Sequence, residues 1–166
     1  IQIINKYGAE RGENGMPKYL PGINLILGLL GESKQTQQKN VEALQQIVDS
    51  ELLLRRINIR QVAILPDTYI ESHGGNKYLR KNEKWYWKWR NEIRQKIDWP
   101  MLQKILPKGT ILNDVWTEMY DGNTTFCRQY GTYPLVIGIK GRLPLKQKIS
   151  VRVKDYMLRS IVGEVI

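Results

Sequence analysis

The sequence predicts a mixed α+β chain: a strand–helix–strand unit, a basic helical segment and a small antiparallel β-barrel. Three observations carry this reading. Two apolar runs in the first 70 residues flank an amphipathic helix. Trp85, Trp89, Ile93 and Ile97, spaced by four, then form one apolar stripe. From residue 108 onward the period falls to two, with turn signals between short segments. The parts are therefore drawn at residues 1–70, 71–107 and 108–166.

In the first part, residues 23–29 (INLILGL) are nearly continuous in apolar character, as expected of a strand buried on both faces. Ser33 is placed to cap a helix over about residues 34–50, where Val41, Leu44, Ile47 and Val48 share a face. A second strand over residues 56–65 (RINIRQVAIL) is closed by Pro66 and Asp67. This order is the βαβ unit of a parallel sheet or barrel, and one such unit is too little to complete a sheet.

The middle part reads as helical. Within residues 77–96 stand Lys77, Arg80, Lys81, Lys84, Lys88, Arg90, Arg94 and Lys96 against Glu83 and Glu92. That segment alone carries +6 of the chain's net +10. Pro100 is expected to open a short helix that ends by Pro107. In the last part, Val115, Thr117 and Met119 alternate with Trp116, Glu118 and Tyr120, and Asp121-Gly122-Asn123 signals a hairpin. Further strands are expected at residues 124–130, 135–139, 150–153 and 158–165, giving five short antiparallel strands and a small barrel of the OB or a related type.

Composition narrows the function. The 166 residues hold 26 Lys and Arg against 16 Asp and Glu, which favours a polyanionic partner without separating RNA from DNA or acidic lipid. A single cysteine, Cys127, excludes an internal disulfide framework and any iron–sulfur cluster ligated by this chain alone. A single histidine, His73, argues against a zinc site built from this chain. The longest apolar stretch, residues 21–31, is shorter than the roughly 20 residues a spanning helix needs. With no signal-peptide pattern, the expected location is cytoplasmic, with no membrane partner. The start at Ile1 suits a processed product or a piece of a longer chain.

Three places could carry chemistry. In the second strand Arg56, Asn58 and Arg60 alternate with Ile57 and Ile59, so two guanidiniums and an amide share one face. Either this is an edge strand whose polar face meets water, or the face lines a cavity that holds carboxylates or phosphates. The turn from Gly28 to Ser33 joins a strand to a helix N-terminus and offers backbone N–H groups to anions, or it is a plain connection. Trp87, flanked by Lys84, Lys88 and Arg90, is the tryptophan placed to stack on bases, whereas Trp85 and Trp89 belong to the buried stripe. Cys127 reads as a small buried strand residue and His73 as a loop residue.

Three stretches together, PGINLILGLLGES (residues 21–33), RRINIRQV (55–62) and RQYGTYPL (128–135), resemble the C-terminal half of archaeal-type radical SAM proteins. The first is also similar to the strand–turn–helix of radical SAM methylthiotransferases. The last lies in what resembles their TRAM-like barrel, and the arginine-rich strand is the most specific match. The resemblance implies the last βα units of a (β/α) radical SAM barrel, a helical linker and an RNA-binding barrel. It implies S-adenosylmethionine and a [4Fe–4S] cluster in the complete enzyme, the cluster being held by a three-cysteine loop that this chain lacks. It places cofactor contacts at Asn24, Gly28, Gly31, Glu32 and Ser33 and substrate contacts at Arg56, Asn58 and Arg60. RNA contacts fall to Lys84, Trp87, Lys88, Arg90, Arg94 and Arg128. Asp67 and Cys127 stand where that family usually has glycine.

The expected partners are RNA, with tRNA favoured, and an N-terminal half carrying the cluster, in cis or as a separate subunit. The half-barrel is expected to leave a bare sheet edge and an apolar surface. The competing readings are a basic RNA-binding module without chemistry of its own and a structural ribonucleoprotein component.

Overall fold

A computed structural model describes residues 1–131 and 134–166; Thr132 and Tyr133, part of the third stretch of the resemblance, lie outside the described residues. A short helix α1 (Gln2–Gly8) precedes β1 (Gly22–Leu27), α2 (Lys34–Asp49) and β2 (Arg56–Gln61). Helices α3 (Tyr69–Ser72) and α4 (Lys77–Ile93) follow, then a π-helical turn (Arg94–Asp98) and α5 (Trp99–Ile105). Five strands complete the chain: β3 (Ile111–Asp121), β4 (Thr124–Gln129), β5 (Ile137–Lys140), β6 (Lys148–Tyr156) and β7 (Ile161–Val165).

Strands β1 and β2 pair in parallel, from Gly22 opposite Arg56 to Leu27 opposite Gln61. Helix α2 begins where the capping signal placed it: the Ser33 hydroxyl accepts from the Thr36 N–H, and the Thr36 side chain accepts in return from the Ser33 N–H. Its Val41, Leu44 and Val48 join Leu27, Leu54 and Ile57 of the strand region and Trp89, Ile93 and Ile97 of the long helix in one core. The helices thus cover one face of the two-stranded sheet and leave the other open. This corrects the expectation that the first strand is buried on both sides: Asn24 and Ile26 are exposed. The strand also stops at Leu27, because Gly28 turns the backbone into the left-handed region at φ 96°. The second strand is likewise shorter than read, ending at Gln61.

Pro100 lies in the first turn of α5, a short helix that ends before Pro107 as expected, and α5 continues α4 without a break. The helix runs from Lys77 to Ile105 with a π-helical turn just before the proline. Proline lacks the N–H that would bond one turn back, and the widened turn absorbs the mismatch. Of the stripe, Trp89, Ile93 and Ile97 are buried. Trp85 is only half-buried, with Lys34 4.7 Å and Lys84 5.4 Å from its ring centroid.

The last part is a closed five-stranded barrel in the order β3-β4-β5-β7-β6. Strand β3 is long enough to pair at its start with β6 and at its end with β4, so it closes the cylinder by itself. Irregular register at Leu112–Val115 and at Thr117–Met119 bends it between the two partners. Four of the five pairings are antiparallel as expected; β5 and β7 run parallel, a departure that follows from β6 crossing to the far side before β7 enters. Val115, Cys127, Ile137, Val151 and Ile161 fill the interior. Gly163 is the tight point there, since a β-carbon would stand 2.3 Å from Val151 Cγ1 and 3.0 Å from Ile137 Cγ2. Gly163→Ala is expected to destabilise the chain by about 1–3 kcal/mol, read as a lowered denaturation midpoint with an unchanged slope.

The barrel is tied to the rest by polar contacts as well as by the shared core. Tyr156 Oη donates to the Leu106 carbonyl at 2.7 Å, and Gln129 Nε2 donates to the Asn14 carbonyl at 2.7 Å. Asp67 adopts φ 61°, a left-handed conformation that aspartate tolerates better than most side chains.

Candidate functional site

The turn after β1 is organised from inside. Glu32 is buried, its carboxylate accepting from the Gly28 N–H on one oxygen and from Gln37 Nε2 at 3.2 Å on the other. Asn82 Nδ2 donates to the Glu32 carbonyl at 3.1 Å, and Trp89 Nε1 to the Gln37 carbonyl at 3.0 Å, which fastens the turn to the long helix. Gly28 admits no side chain, with Val62 Cγ1 2.8 Å from where a β-carbon would stand. Glu32 and Gly28 therefore shape the turn from beneath, with the Glu32 carboxylate spent on the Gly28 N–H and on Gln37.

Asn24, Gly31 and Glu32 line a shallow cleft of about 470 Å³, with Leu25 and Leu29 as its apolar side and Thr36 and Asn40 on α2. Ser33 spends its hydroxyl on the helix cap. Glu32→Gln presents an N–H₂ to a donor already in place, so it is expected to cost about 1–3 kcal/mol of stability, measured by thermal denaturation.

Arg56, Asn58 and Arg60 do share the uncovered face of the sheet, in register with Gly22, Asn24 and Ile26. Asn58 Nδ2 donates to Asn24 Oδ1 at 2.9 Å, joining an expected substrate residue to an expected cofactor residue. They line no common cavity among the described residues: Arg60 is exposed, and Arg56 lines a different cleft at the start of the strand. Two strands supply one wall and nothing opposite it.

On α4, Trp87 stands 61% exposed, with the Arg90 guanidinium 5.0 Å from its ring centroid and Tyr86 edge-on at 5.4 Å. Lys84 and Lys88 are exposed beside it. Arg94 is not part of this surface. It is 4% exposed, donates from Nη1 to the Ile57 carbonyl at 2.8 Å and pairs with Asp98. The Asp98 carboxylate in turn accepts from the Ile57 N–H, and burial pushes its pKa up against the pull of Arg94. Helical spacing carries Arg94 next to Ile93 and toward the sheet, so the expected RNA contact is instead a buried cap on the β2 edge.

A second aromatic and cationic surface lies on the barrel. Trp116 is in cross-strand register with Arg128 on β4 and Lys148 on β6. The Lys148 ammonium lies 5.7 Å from the Trp116 ring centroid, and Tyr130, 77% exposed, packs edge-on at 5.8 Å. Of this group sequence reasoning found only Arg128, which is exposed and 3.3 Å from Glu118. The available signal was the alternation itself: with Val115 and Thr117 inward, Trp116 had to point out.

Burial pushes the Cys127 thiol up to about 11, so it is poor both as nucleophile and as metal ligand. Among the described residues no group of His, Cys, Asp and Glu is arranged to hold a metal. No described helix is long and apolar enough to cross a membrane.

The chain is similar to two archaeal proteins, both described only as uncharacterized. It is 44% identical over 163 residues to one from Archaeoglobus fulgidus, covering 98% of this chain and 30% of the relative. It is 42% identical over 168 residues to one from Methanocaldococcus jannaschii, covering all of this chain and 31% of the relative. The chain thus spans about a third of the length of these curated relatives. No protein-family model matches it.

Proposed function

We propose that this chain is the C-terminal part of a radical SAM enzyme that modifies RNA, tRNA being the favoured substrate. The observation that carries the reading is the sheet covered on one face only. Two parallel strands, packed against helices on one side, present Asn24, Arg56, Asn58 and Arg60 on the other, as a piece of barrel wall does toward its lumen. The capped edge of β2, together with an outer edge of β1 that no strand among the described residues pairs, fits a wall that continues on the β1 side, with the preceding strands supplied by an N-terminal half. Relatives about three times as long leave room for that half and for its cluster loop.

The residues here do not fit the iron–sulfur cluster, because one buried cysteine cannot ligate it. They do fit part of a nucleoside cofactor: Leu25 and Leu29 offer an apolar side and Asn24 and Asn40 offer amides in the cleft beside Gly31. S-adenosylmethionine, held at a cluster in the other half, would supply a carbon-centred radical. This chain's own residues would hold the adenosine end and keep the open face polar. The barrel, whose strand order and single parallel pair match the OB type, would hold RNA across Trp116, Arg128 and Lys148, with α4 adding Lys84, Trp87, Lys88 and Arg90.

The test is anaerobic reconstitution of the full-length protein, followed by assay for reductive cleavage of S-adenosylmethionine to 5′-deoxyadenosine with bulk tRNA present. Cluster formation and cleavage are expected. A full-length protein that takes up no iron and yields no 5′-deoxyadenosine, yet still binds RNA, would instead establish the non-catalytic RNA-binding module.

A further inference from the structure

At the start of β2 lies a second cleft, of about 330 Å³, where the α/β unit meets the barrel. Arg55, just before β2, and Arg56, its first residue, approach it from one side, and Arg159 and Ser160 from the β6–β7 connection. It is separate from the cleft beside Gly31, which lies near the other end of the strands. Six residues of β2 span roughly 16 Å at about 3.3 Å per residue.

Two properties of this cleft point to one ligand chemistry. The floor is apolar, with Leu54, Met101, Leu102 and Leu135 all buried and Leu158 half-open at the rim. The polar part is cationic. Three arginines line it, and among the described lining residues the only acidic side chain is Asp98. That carboxylate is already bound by Arg94 and by the Ile57 N–H, with Arg159 Nε 4.0 Å away. A carboxylate ligand would bring one negative charge and two oxygens to this rim. A phosphate monoester brings close to two charges and three acceptor oxygens, which suits several guanidinium forks at once. The apolar floor suits a flat ring attached to it.

We propose that this cleft binds a nucleoside monophosphate, either as a free nucleotide or as the phosphorylated end of a nucleic-acid strand. Arg56 and Arg159 grip the phosphate, and the base rests on Leu54 and Leu102. Arg56 stands at the Gly22 end of the open face, where that face runs into this cleft. The assignment rests neither on radical chemistry nor on the α4 surface, and it stands if either fails.

Calorimetric titration of the full chain separates the outcomes, using AMP, adenosine, a 5′-phosphorylated tetraadenylate and its dephosphorylated form. The phosphate is expected to tighten binding by about tenfold or more in at least one pair. Arg56→Gln and Arg159→Gln should each remove part of that gain and the double variant nearly all of it. Both arginines reach the solvent-facing rim, and Arg94 keeps Asp98 paired when the Arg159 contact at 4.0 Å is lost; thermal unfolding of each variant is followed alongside, and binding is compared at temperatures where all are folded. AMP binding as tightly as the phosphorylated tetranucleotide identifies a free nucleotide; a much tighter tetranucleotide identifies a strand end. No gain from phosphate in either pair overturns the proposal. So does a gain that survives in both single variants.

Discussion

Arg94→Met is expected to destabilise the chain by about 3–5 kcal/mol at neutral pH, because it strands Asp98 as a buried carboxylate. The Asp98 side chain is 12% exposed, and losing Arg94 leaves it the Ile57 N–H and the more distant Arg159. The same change also frees the Ile57 carbonyl, which loses its bond from Arg94 Nη1. Methionine refills much of the volume, so the loss is electrostatic rather than a cavity effect. The pH dependence distinguishes this from simple packing damage. Burial already holds the Asp98 pKa above its ordinary 3.8, and without the opposing Arg94 charge it rises further. The folded variant then binds a proton more tightly than the unfolded chain does. Its deficit relative to the parent is therefore largest above the raised folded value and shrinks as pH falls toward 3.8. Denaturant titrations of parent and variant across that range measure the difference directly. A deficit independent of pH would mean that Arg94 acts through packing alone. Arg94→Met/Asp98→Leu should recover much of the loss by removing both charges together.

This pair also marks where sequence reasoning stops. Periodicity placed Ser33, α2 and the barrel strands well because each depends on local pattern: a capping residue, a 3.6-residue stripe, an alternation. It misassigned Arg94 because charge density cannot tell which face of a helix meets a sheet edge. The stripe did hold that information, since Arg94 is adjacent to buried Ile93 and one turn from buried Ile97 and Asp98. The misreading of β1 has the opposite origin. An apolar run states that both faces can be buried, and here one face has nothing over it, so Ile26 is exposed. The spacing places Glu32 in this turn but does not fix the direction of its carboxylate, which depends on Gln37 and on a glycine N–H whose position only the folded turn defines. Alternation with Val115 and Thr117 turns Trp116 outward but does not say what stands beside it. Its flanking cations come from β4 and β6, far apart in sequence, and only register brings them together.

RNA affinity should depend steeply on salt and should be lost in two distinguishable ways. With Arg94 withdrawn, the exposed cations beside Trp87 are Lys84, Lys88 and, half-buried, Arg90. Arg128 and Lys148 add to them on the barrel. If about four of these five contact phosphates of a single strand, log K should fall by roughly 3 for each tenfold rise in salt. Replacing Lys88 and Arg90 together by glutamine should flatten that slope by about 1.4, with the fold intact because neither belongs to the buried stripe. Trp87→Ala and Trp116→Ala should each weaken binding by about 1–3 kcal/mol and leave the slope nearly unchanged, since stacking releases no counterions. The two tryptophans also rank the surfaces. Loss confined to Trp116→Ala would make the barrel the reading surface and α4 an electrostatic guide. Comparable losses in both would mean that one strand runs across helix and barrel. Fluorescence titration against tRNA at two salt concentrations decides among these. Affinity indifferent to salt and to all three changes would remove RNA binding from both surfaces.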